Sequence, residues 1–407
     1  MTGGSLHRRH LLTGGVAFVA GVAGAAGAAA VSTASTSDSP QRTVDAAAAD
    51  DTGAGVVPFY GPRQAGVSTE PQAHASFVAF TLNAGTDRAA LARMMRLLTD
   101  DAARLTRGVA PLGDTEPELA TLPARLTVTF GFGPELYRAA GRPERRPSSV
   151  EPIPPFAIDR LEEAWTGGDL LIQICADDPL TVTHAQRMLI KDTRPFASVR
   201  WVQRGFRRSR GAQAPGHTQR NILGQLDGTA NPRDAAQDTA VWVTGGEPWL
   251  RDSTTLVIRR IRAELETWDL LSTADKENAV GRRLATGAPL TGTHERDQPD
   301  FTALDTVGFP VMPNHAHVTR AHVTDDRLKI LRRPYNYDGA ADAAGRPDTG
   351  LVFAAYQADI ARQYLPIQRR LAERDLLNEW TTPIGSAVFA IPPGCAEGGW
   401  IGEPVLG

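Results

Sequence analysis

The sequence of 407 residues has little of what marks several specialised classes of protein. Its two cysteines, Cys175 and Cys395, are too few for a disulfide scaffold and do not stand at a metal-binding spacing. A formal net charge of −3 provides no basic field for binding nucleic acid. The glycine-rich dinucleotide motif, the phosphate-binding P-loop and the HExxH zinc motif are all missing. With 42% hydrophobic and 22% charged residues, the composition is that of a globular protein.

Residues 1–35 are predicted to be a twin-arginine export signal. Arg8 and Arg9 precede a weakly hydrophobic run of Ala, Gly and Val, as in signals of that kind. A membrane anchor is the alternative, because the uncharged run at 11–37 is long enough to span a bilayer. Alanine and glycine favour insertion only weakly, so we expect no stable membrane span but export by the twin-arginine machinery to the cell envelope or beyond. Residues 36–56 contain few large apolar side chains and are predicted to be a disordered linker.

The remainder is predicted to be an α+β protein made of two tandem ferredoxin-like domains, at 57–212 and 213–407. Strand and helix patterns follow one another in the order β-α-β-β-α-β in the first domain and recur more loosely in the second. In the first domain we expect strands at 75–82, 126–133, 168–176 and 197–206 and helices at 87–105 and 183–192. In the second we expect strands at 254–265, 350–357 and 386–392 and helices at 266–271 and 359–374.

Gly224–Gly228 is the first of three segments that could carry chemistry, and it places Asp227 among turn-forming residues. An Asp-Gly pair in such a setting is usually a plain turn, in which the carboxylate binds its own backbone. The functional alternative is a carboxylate on a glycine-lined loop, whose missing side chains let the backbone approach a flat ligand closely. The motif alone leaves both interpretations open.

The second segment holds three histidines, His315, His317 and His322, within eight residues. A zinc site would need an acidic or cysteine ligand at the usual spacing, and none stands nearby. Haem iron needs a single histidine, because the porphyrin supplies the equatorial ligands. If the segment is a strand, His315 and His317 share a face. Polar loop histidines without a ligand role are the other interpretation.

The third segment, at 331–337, contains the paired arginines Arg332 and Arg333 in an aromatic setting. Such a pair is commonly a solvated or anion-pairing surface patch. Buried beside a reacting group, however, a guanidinium stays charged and can stabilise developing negative charge.

Together these segments resemble the dye-decolourising peroxidase family, in particular its exported bacterial members. Gly224–Gly228 fits the family's G-x-x-D-G signature, which Thr229 and Asn231-Pro232 extend, and the stretch from His317 to Tyr337 resembles its proximal-histidine block. Supporting fragments stand at 59–61, 64–66, 131–134, 205–206, 286–290 and 392–394. The resemblance covers nearly the whole folded chain and implies two ferredoxin-like domains, with one haem b per chain in the second.

Residue roles follow from the resemblance. It implies His317 as the proximal iron ligand, Asp227 as the distal acid–base and Arg332 as the distal charge stabiliser. Asp305 would accept a hydrogen bond from the other ring nitrogen of the ligand. His315 competes for the ligand role, because alternate residues of a strand share a face. The residues expected to line the haem are Gly228, Thr229, Ala230, His322, Val323, Thr324, Leu351 and Phe353, together with Arg332.

The implied activity is a haem-dependent peroxidase that uses hydrogen peroxide to oxidise bulky phenolic, dye-like or other one-electron donors. Asp227 would move a proton between the two peroxide oxygens, and because an aspartate stays ionised in mild acid, activity should favour acidic pH. Near-surface aromatic residues would relay electrons from bulky donors, and the candidates are Trp242, Trp249, Trp380 and Tyr356. A haem-handling protein that releases iron, and a ferredoxin-like binding module without cofactor, are the alternatives. The sequence leaves the oligomeric state open, a homo-oligomer included.

Overall fold

The computed structural model describes residues 53–214, 216–341 and 345–407. The predicted export signal at 1–35 and most of the predicted linker at 36–56 lie outside these ranges. Within them, no helix has the length and the apolar character needed to cross a bilayer. The first residue of the described ranges is Gly53.

In the part of the chain that the structure describes, nine strands form one sheet, and eight of them close it into a ring. The strands are β1 His74–Leu82, β2 Thr127–Phe132, β3 Leu170–Ala176, β4 Ala197–Phe206, β5 Thr254–Ala263, β6 Leu331–Arg332, β7 Tyr335–Gly339, β8 Asp348–Gln357 and β9 Thr381–Ile391. Their order is β5-β9-β2-β3-β1-β4-β7-β8, and β8 pairs with β5 to close the ring. The two-residue strand β6 also pairs with β8, beside β7.

In the described residues, nine α-helices surround the sheet. They are α1 Arg88–Leu105, α2 Pro134–Ala139, α3 Pro179–Thr193, α4 Asp234–Val241, α5 Leu265–Asp269, α6 Thr273–Val280, α7 His317–Ala321, α8 Leu365–Arg374 and α9 Glu403–Leu406. A π-helical turn, Ile360–Tyr364, precedes α8. The predicted helix at 359–374 is thus confirmed in place but begins in a wider turn, and Pro366 lies in the first turn of α8, where no backbone N–H is needed.

The first half of the chain agrees closely with its predicted elements. β1 to β4 and the helices α1 and α3 lie where the sequence patterns predicted them, and the strand order is β2-β3-β1-β4. Helix α1 begins because the Asp87 side chain accepts the backbone N–H of Ala90. The outward side chains of these strands pack under α1 and α3, as Phe130 and Ile172 do against Met94 and Leu98.

The second half has the matching order β7-β8-β5-β9, and its predicted strands β5, β8 and β9 are confirmed. Strand β7 was not predicted, because its five residues follow a proline and carry little pattern of their own. Side chains of both halves fill the inside of the ring, among them Phe77, Trp201, Tyr335 and Phe389. Each seam between the halves is a single residue pair, Phe132 with Ala390 and Phe206 with Asn336. The predicted domain boundary at 212/213 stays a prediction.

Candidate functional site

The Gly224–Gly228 loop is a tight turn that directs the Asp227 side chain towards the second half of the ring. Gly224 and Gly228 adopt φ values of +83° and +131°, which favour glycine, and the backbone N–H of Asp227 donates to the carbonyl of Gln219. The Asp227 side chain is only 8% exposed and accepts a hydrogen bond from Arg332 Nη1 at 2.8 Å. The carboxylate therefore serves a long-range ion pair and does not simply cap its own turn.

Arg332 is held on β6 by a side chain from the same loop. Asn231 Nδ2 donates to the carbonyl of Arg332 at 2.7 Å, and the backbone N–H of Arg332 donates to Asn231 Oδ1 at 3.1 Å. Leu331 belongs to the cluster inside the ring, so the alternation of a strand directs Arg332 outward. Leu351 and Phe353 share that outer face on β8, since Arg332 pairs with Ala355.

His317 is the first residue of α7, and its ring is oriented by a carboxylate from the end of α8. Its Nδ1 lies 2.6 Å from Asp375 Oδ2, which is the geometry of an Nδ1–H donor, so Nε2 is left with a free lone pair. Asp375 Oδ1 meanwhile accepts the backbone N–H of Leu377. Burial lowers the pKa of His317, but the charge and hydrogen bond of Asp375 outweigh burial and raise it.

Reciprocal arginine contacts fix α7 against α8. Arg320 Nε donates to the carbonyl of Arg370 at 3.1 Å, and Arg370 Nε donates to the carbonyl of Arg320 at 2.9 Å. The backbone N–H of Leu376 adds a bond to the carbonyl of His315. The position of the His317 ring therefore depends on the packing of two helices and not on one loop.

The charges of Asp227 and Arg332 both act on the His317 ring, which links the pair to the histidine electrostatically. Within the described ranges, no group of three or more His, Cys, Asp or Glu side chains could hold a metal ion. One imidazole with a free Nε2 suits an iron that takes its equatorial ligands from a porphyrin. The residues present therefore fit a haem between His317 and the Asp227–Arg332 pair.

Two expectations about this site are wrong. Asp305 accepts the backbone N–H groups of Val307 and Phe309, so it is Asp375 that accepts from His317. His315 and His317 do not lie on a strand, because a helix begins at His317, and His315 is exposed on the preceding turn. The argument from a shared strand face therefore no longer favours His315.

The residues predicted to line the haem are spread more widely than the central three. Gly228 borders a cavity beside Asp227, and Thr229 donates its hydroxyl to Glu295 at 2.8 Å. Ala230 and Thr324 are exposed, Val323 is half-buried, and the exposed His322 ring packs against Phe301 with centroids 4.7 Å apart. Their contact with haem stays a prediction.

The predicted electron-relay residues do not all lie near the surface. Trp242 and Tyr356 are buried, with 2% and 0% exposure, and the Tyr356 hydroxyl donates to Gln173 inside the ring. Trp249 and Trp380 are half-buried. For Trp242 and Tyr356 the expectation of a near-surface position is wrong.

Glu295 is a site residue that the sequence did not single out. It accepts hydroxyl hydrogen bonds from Thr218 and Thr229, and its backbone carbonyl accepts from Arg282 Nη1 at 2.8 Å. Burial opposes ionisation, but the two threonine hydrogen bonds and the charges of Arg282 and its neighbour Arg296 lower the pKa of Glu295. Glu295 thus anchors the loop of Asp227 as a carboxylate, from a segment that the sequence showed only as a long polar connection.

Models of one protein family match most of the chain. The model described as "Dyp-type peroxidase, N-terminal" matches residues 64–207, and "Dyp-type peroxidase, C-terminal" matches residues 218–396. A dye-decolorizing peroxidase from Thermobifida fusca is 36% identical over 362 residues, which are 84% of this chain and 83% of the relative. A deferrochelatase from Yersinia pestis is 37% identical over 378 residues, 88% of this chain and 86% of the relative.

Solved structures agree with these matches. A DyP-type peroxidase from Cellulomonas bogoriensis superposes with a TM-score of 0.85 at 50% identity, over 87% of this chain and 99% of that one. Ferric DtpA from Streptomyces lividans superposes with a TM-score of 0.84 at 38% identity, over 88% and 99% of the two chains.

Proposed function

The chain belongs to the Dyp-type peroxidase family and is a haem-dependent peroxidase, and we propose that Asp227, Arg332 and His317 carry its reaction. The observation that supports these roles most strongly is the 2.8 Å bond between Arg332 and Asp227, whose charges both act on the His317 ring. A proton carrier and a permanent positive charge would thus face one side of the haem, and a histidine whose Nδ1 is already bound to Asp375 would face the other.

His317 would hold the iron through Nε2, with Asp375 keeping Nδ1 protonated and the ring in place. When bound, haem supplies the iron at which hydrogen peroxide is reduced and one-electron donors are oxidised. Leu351 and Phe353, on the outer face of β8 with Arg332, would limit access of water to this side.

Asp227 serves as the proton carrier. Its Oδ1 is occupied by Arg332, whereas Oδ2 has only the 3.4 Å contact with Asn221 Nδ2. Oδ2 can therefore accept a proton from one oxygen of hydrogen peroxide and return it to the other oxygen. That second oxygen leaves as water when the O–O bond breaks. Arg332 stabilises the negative charge that gathers on the departing oxygen.

Three variants of the haem-loaded chain test these roles. Asp227→Asn is expected to lower the rate of reaction with peroxide by about 10²–10⁴-fold, and Arg332→Leu by about 10²–10³-fold, both with the Soret band retained. Asp234→Asn, an exposed acid at the start of α4, is the matched control and should react like the wild type. A wild-type rate in Asp227→Asn would refute its role as proton carrier.

The division of the fold into domains is also part of this proposal. We infer two ferredoxin-like domains with a boundary near 212/213 and haem in the second. The matched orders β2-β3-β1-β4 and β7-β8-β5-β9 and the single-pair seams support it. Expression of the chain with a protease site inserted at 212/213 tests the boundary. If the boundary is right, both fragments should stay folded after cleavage.

Release of iron from haem is a second candidate function, supported by the likeness to a deferrochelatase over 88% of the chain. It predicts intact protoporphyrin and free iron after incubation with haem under reducing conditions. Analysis of the porphyrin product distinguishes this outcome from peroxidase turnover, in which haem is retained. The cofactor-free binding module has no support in a chain of this family.

Export by the twin-arginine route is likewise proposed, on the support of Arg8-Arg9 and the weakly hydrophobic run that follows. The folded chain would leave the cytoplasm already loaded with haem. Replacing both arginines by lysine should keep the full-length chain in the cytoplasm, and unchanged export would refute the route.

A further inference from the structure

A cavity of about 310 Å³ borders the acid–base pair, with Asp227 and Arg332 in its wall. Thr69 and Glu70, which precede β1, form part of its wall, and Gln219 and Asp227 form another part. It therefore lies where the first half of the chain meets the loop of Asp227. A molecule bound there would touch groups from both halves.

The charges around the cavity are predominantly positive. Four arginines line it, namely Arg207, Arg233, Arg332 and Arg333. Of the two carboxylates in its wall, that of Asp227 is bound to Arg332, and that of Glu70 is 77% exposed and lies 3.5 Å from Arg125. Among the described residues, no carboxylate lies within ion-pair distance of the other three arginines. The cavity thus has an excess of positive charge beside Asp227.

Several hydrogen-bond donors around the cavity have no acceptor. Arg207 Nε donates to Gln219 Oε1 at 2.7 Å, and no acceptor in the described part of the chain engages its two Nη groups. That bond fixes the Gln219 amide, whose Nε2 has no partner although the residue is only 4% exposed. Arg333, by contrast, is 1% exposed and donates to the carbonyl of Thr69 and to Gln72 Oε1. Buried donors without acceptors cost free energy, so the free donors of Arg207 and Gln219 favour a ligand that carries acceptors.

The surroundings of Arg207 also favour a bound anion. Burial is the largest influence on the pKa of Arg207 and lowers it, and the charge of Arg333 adds to that effect, whereas Tyr335 and Asp227 oppose it only in part. A negative charge beside Arg207 would offset both, and a guanidinium binds planar oxyanions with two parallel hydrogen bonds.

We propose that this cavity binds a small oxyanion, either free or as the carboxylate of an organic molecule, with Arg207 and Gln219 as its main donors. The site goes beyond the peroxidase function and does not depend on the roles given to the haem-side residues. Since the cavity borders Asp227, a bound anion places a second negative charge beside the proton carrier.

Titration calorimetry of the haem-loaded chain with sodium sulfate at constant ionic strength tests the site. The wild type should bind one sulfate per chain. Arg207→Gln should weaken binding by about tenfold or more, because it removes a charge-assisted hydrogen bond. Gln219→Glu should weaken binding to the same extent by a different route, since it places a carboxylate beside Arg207. Arg204→Gln, an exposed arginine on β4, removes the same charge outside the cavity and should bind sulfate like the wild type.

A second titration, with 4-hydroxybenzoate, identifies the source of the anion. Tighter binding of sulfate supports a free inorganic oxyanion, and tighter binding of 4-hydroxybenzoate supports the carboxylate of an organic electron donor. Absence of binding of both probes to the wild type, or an equal loss in Arg204→Gln, would overturn the site. The Soret band and the peroxide reaction of the same samples report on the peroxidase separately, so either proposal can fail alone.

Discussion

The two halves of the chain share a strand order and differ in what covers the outer face of their strands. In the first half, α1 and α3, with 18 and 15 residues, lie over this face and pack against its apolar side chains. In the second half, the longest α-helix of the described residues is α8, with 10 residues. Leu351 and Phe353 on the outer face of β8 remain half-buried there, beside Arg332.

The difference shows that the layer covering the sheet, together with the strand that carries Arg332, decides where this fold can hold a site. Long amphipathic helices seal a face, because their apolar stripe matches the strands beneath. Short helices joined by long loops leave this face of the second half less covered, and it is here that we propose the haem, between Asp227 and His317. A variant at the site should therefore affect the second half alone, and a variant under α1 should affect stability alone.

His317→Ala is expected to have the largest effect and to confine it to the second half. Removing the free imidazole nitrogen should abolish the ferric spectrum of the wild type, while far-UV circular dichroism stays unchanged. His315→Ala, two residues earlier and exposed, is the matched control. Retention of the wild-type spectrum in His317→Ala, with its loss in His315→Ala, would transfer the ligand role to His315.

Asp375→Asn should come next. The amide keeps a carbonyl oxygen for the N–H of Leu377 but cannot stabilise the His317 ring as a carboxylate does, so haem affinity should fall about 10–100-fold. Transfer of haem to an apoglobin measures this loss. Glu379→Gln, exposed nearby, should leave the transfer rate unchanged, and an equal rate in Asp375→Asn would show that the carboxylate is not needed.

Asn231→Ala tests how the loop of Asp227 positions Arg332, since it removes both hydrogen bonds to the backbone of Arg332. The rate of reaction with peroxide should fall about tenfold, as two net hydrogen bonds suggest, with the Soret band intact. Asn231→Asp retains the acceptor but not the donor and should give an intermediate rate. Equal rates in all three proteins would show that the loop holds Arg332 without this side chain.

Asp101→Asn changes a buried residue of the first half and should have the smallest effect, which is on stability. Burial and the adjacent Asp192 raise the pKa of Asp101 to about 8. Because the folded state holds this proton more tightly than the unfolded state, the stability that it contributes is present below about pH 4 and is lost as pH rises to about 8. The variant should therefore have a Tm a few degrees higher at neutral pH and no advantage in acid.

Asp100→Asn provides the control for that measurement. Asp100 is an exposed neighbour on α1 that forms a 2.8 Å ion pair with Arg104. Its replacement should give no rise in Tm at neutral pH. A pH-independent Tm difference between Asp101→Asn and the wild type would contradict the coupling of Asp101 with Asp192.

Local patterns were sufficient to predict the first half. β1 and α1 were predicted because alternation, helical spacing and the Asp87 cap act within a few residues. Strand β7 was missed because five residues after a proline carry little pattern of their own, and its pairing with β8 depends on the closed ring.

The site residues also fall into those that local motifs predicted and those that depend on distant contacts. Asp227 and Arg332 were predicted from motifs, and the structure joins them. Asp375 was missed because its bond to His317 spans 58 residues and depends on how α7 packs against α8. Glu295 was missed for a similar reason, since a lone acid in a polar loop gives no signal until its two threonine partners are seen.

The ring of strands has a consequence for biogenesis. Cutting the molecule into its halves would uncover four bare edges, those of β2 and β4 on one fragment and of β7 and β9 on the other. Unpaired edges recruit strands from other molecules and lead to precipitation. A nascent chain that has formed β4 but not yet β7 and β9 therefore presents the edges of β2 and β4 until the second half is synthesised.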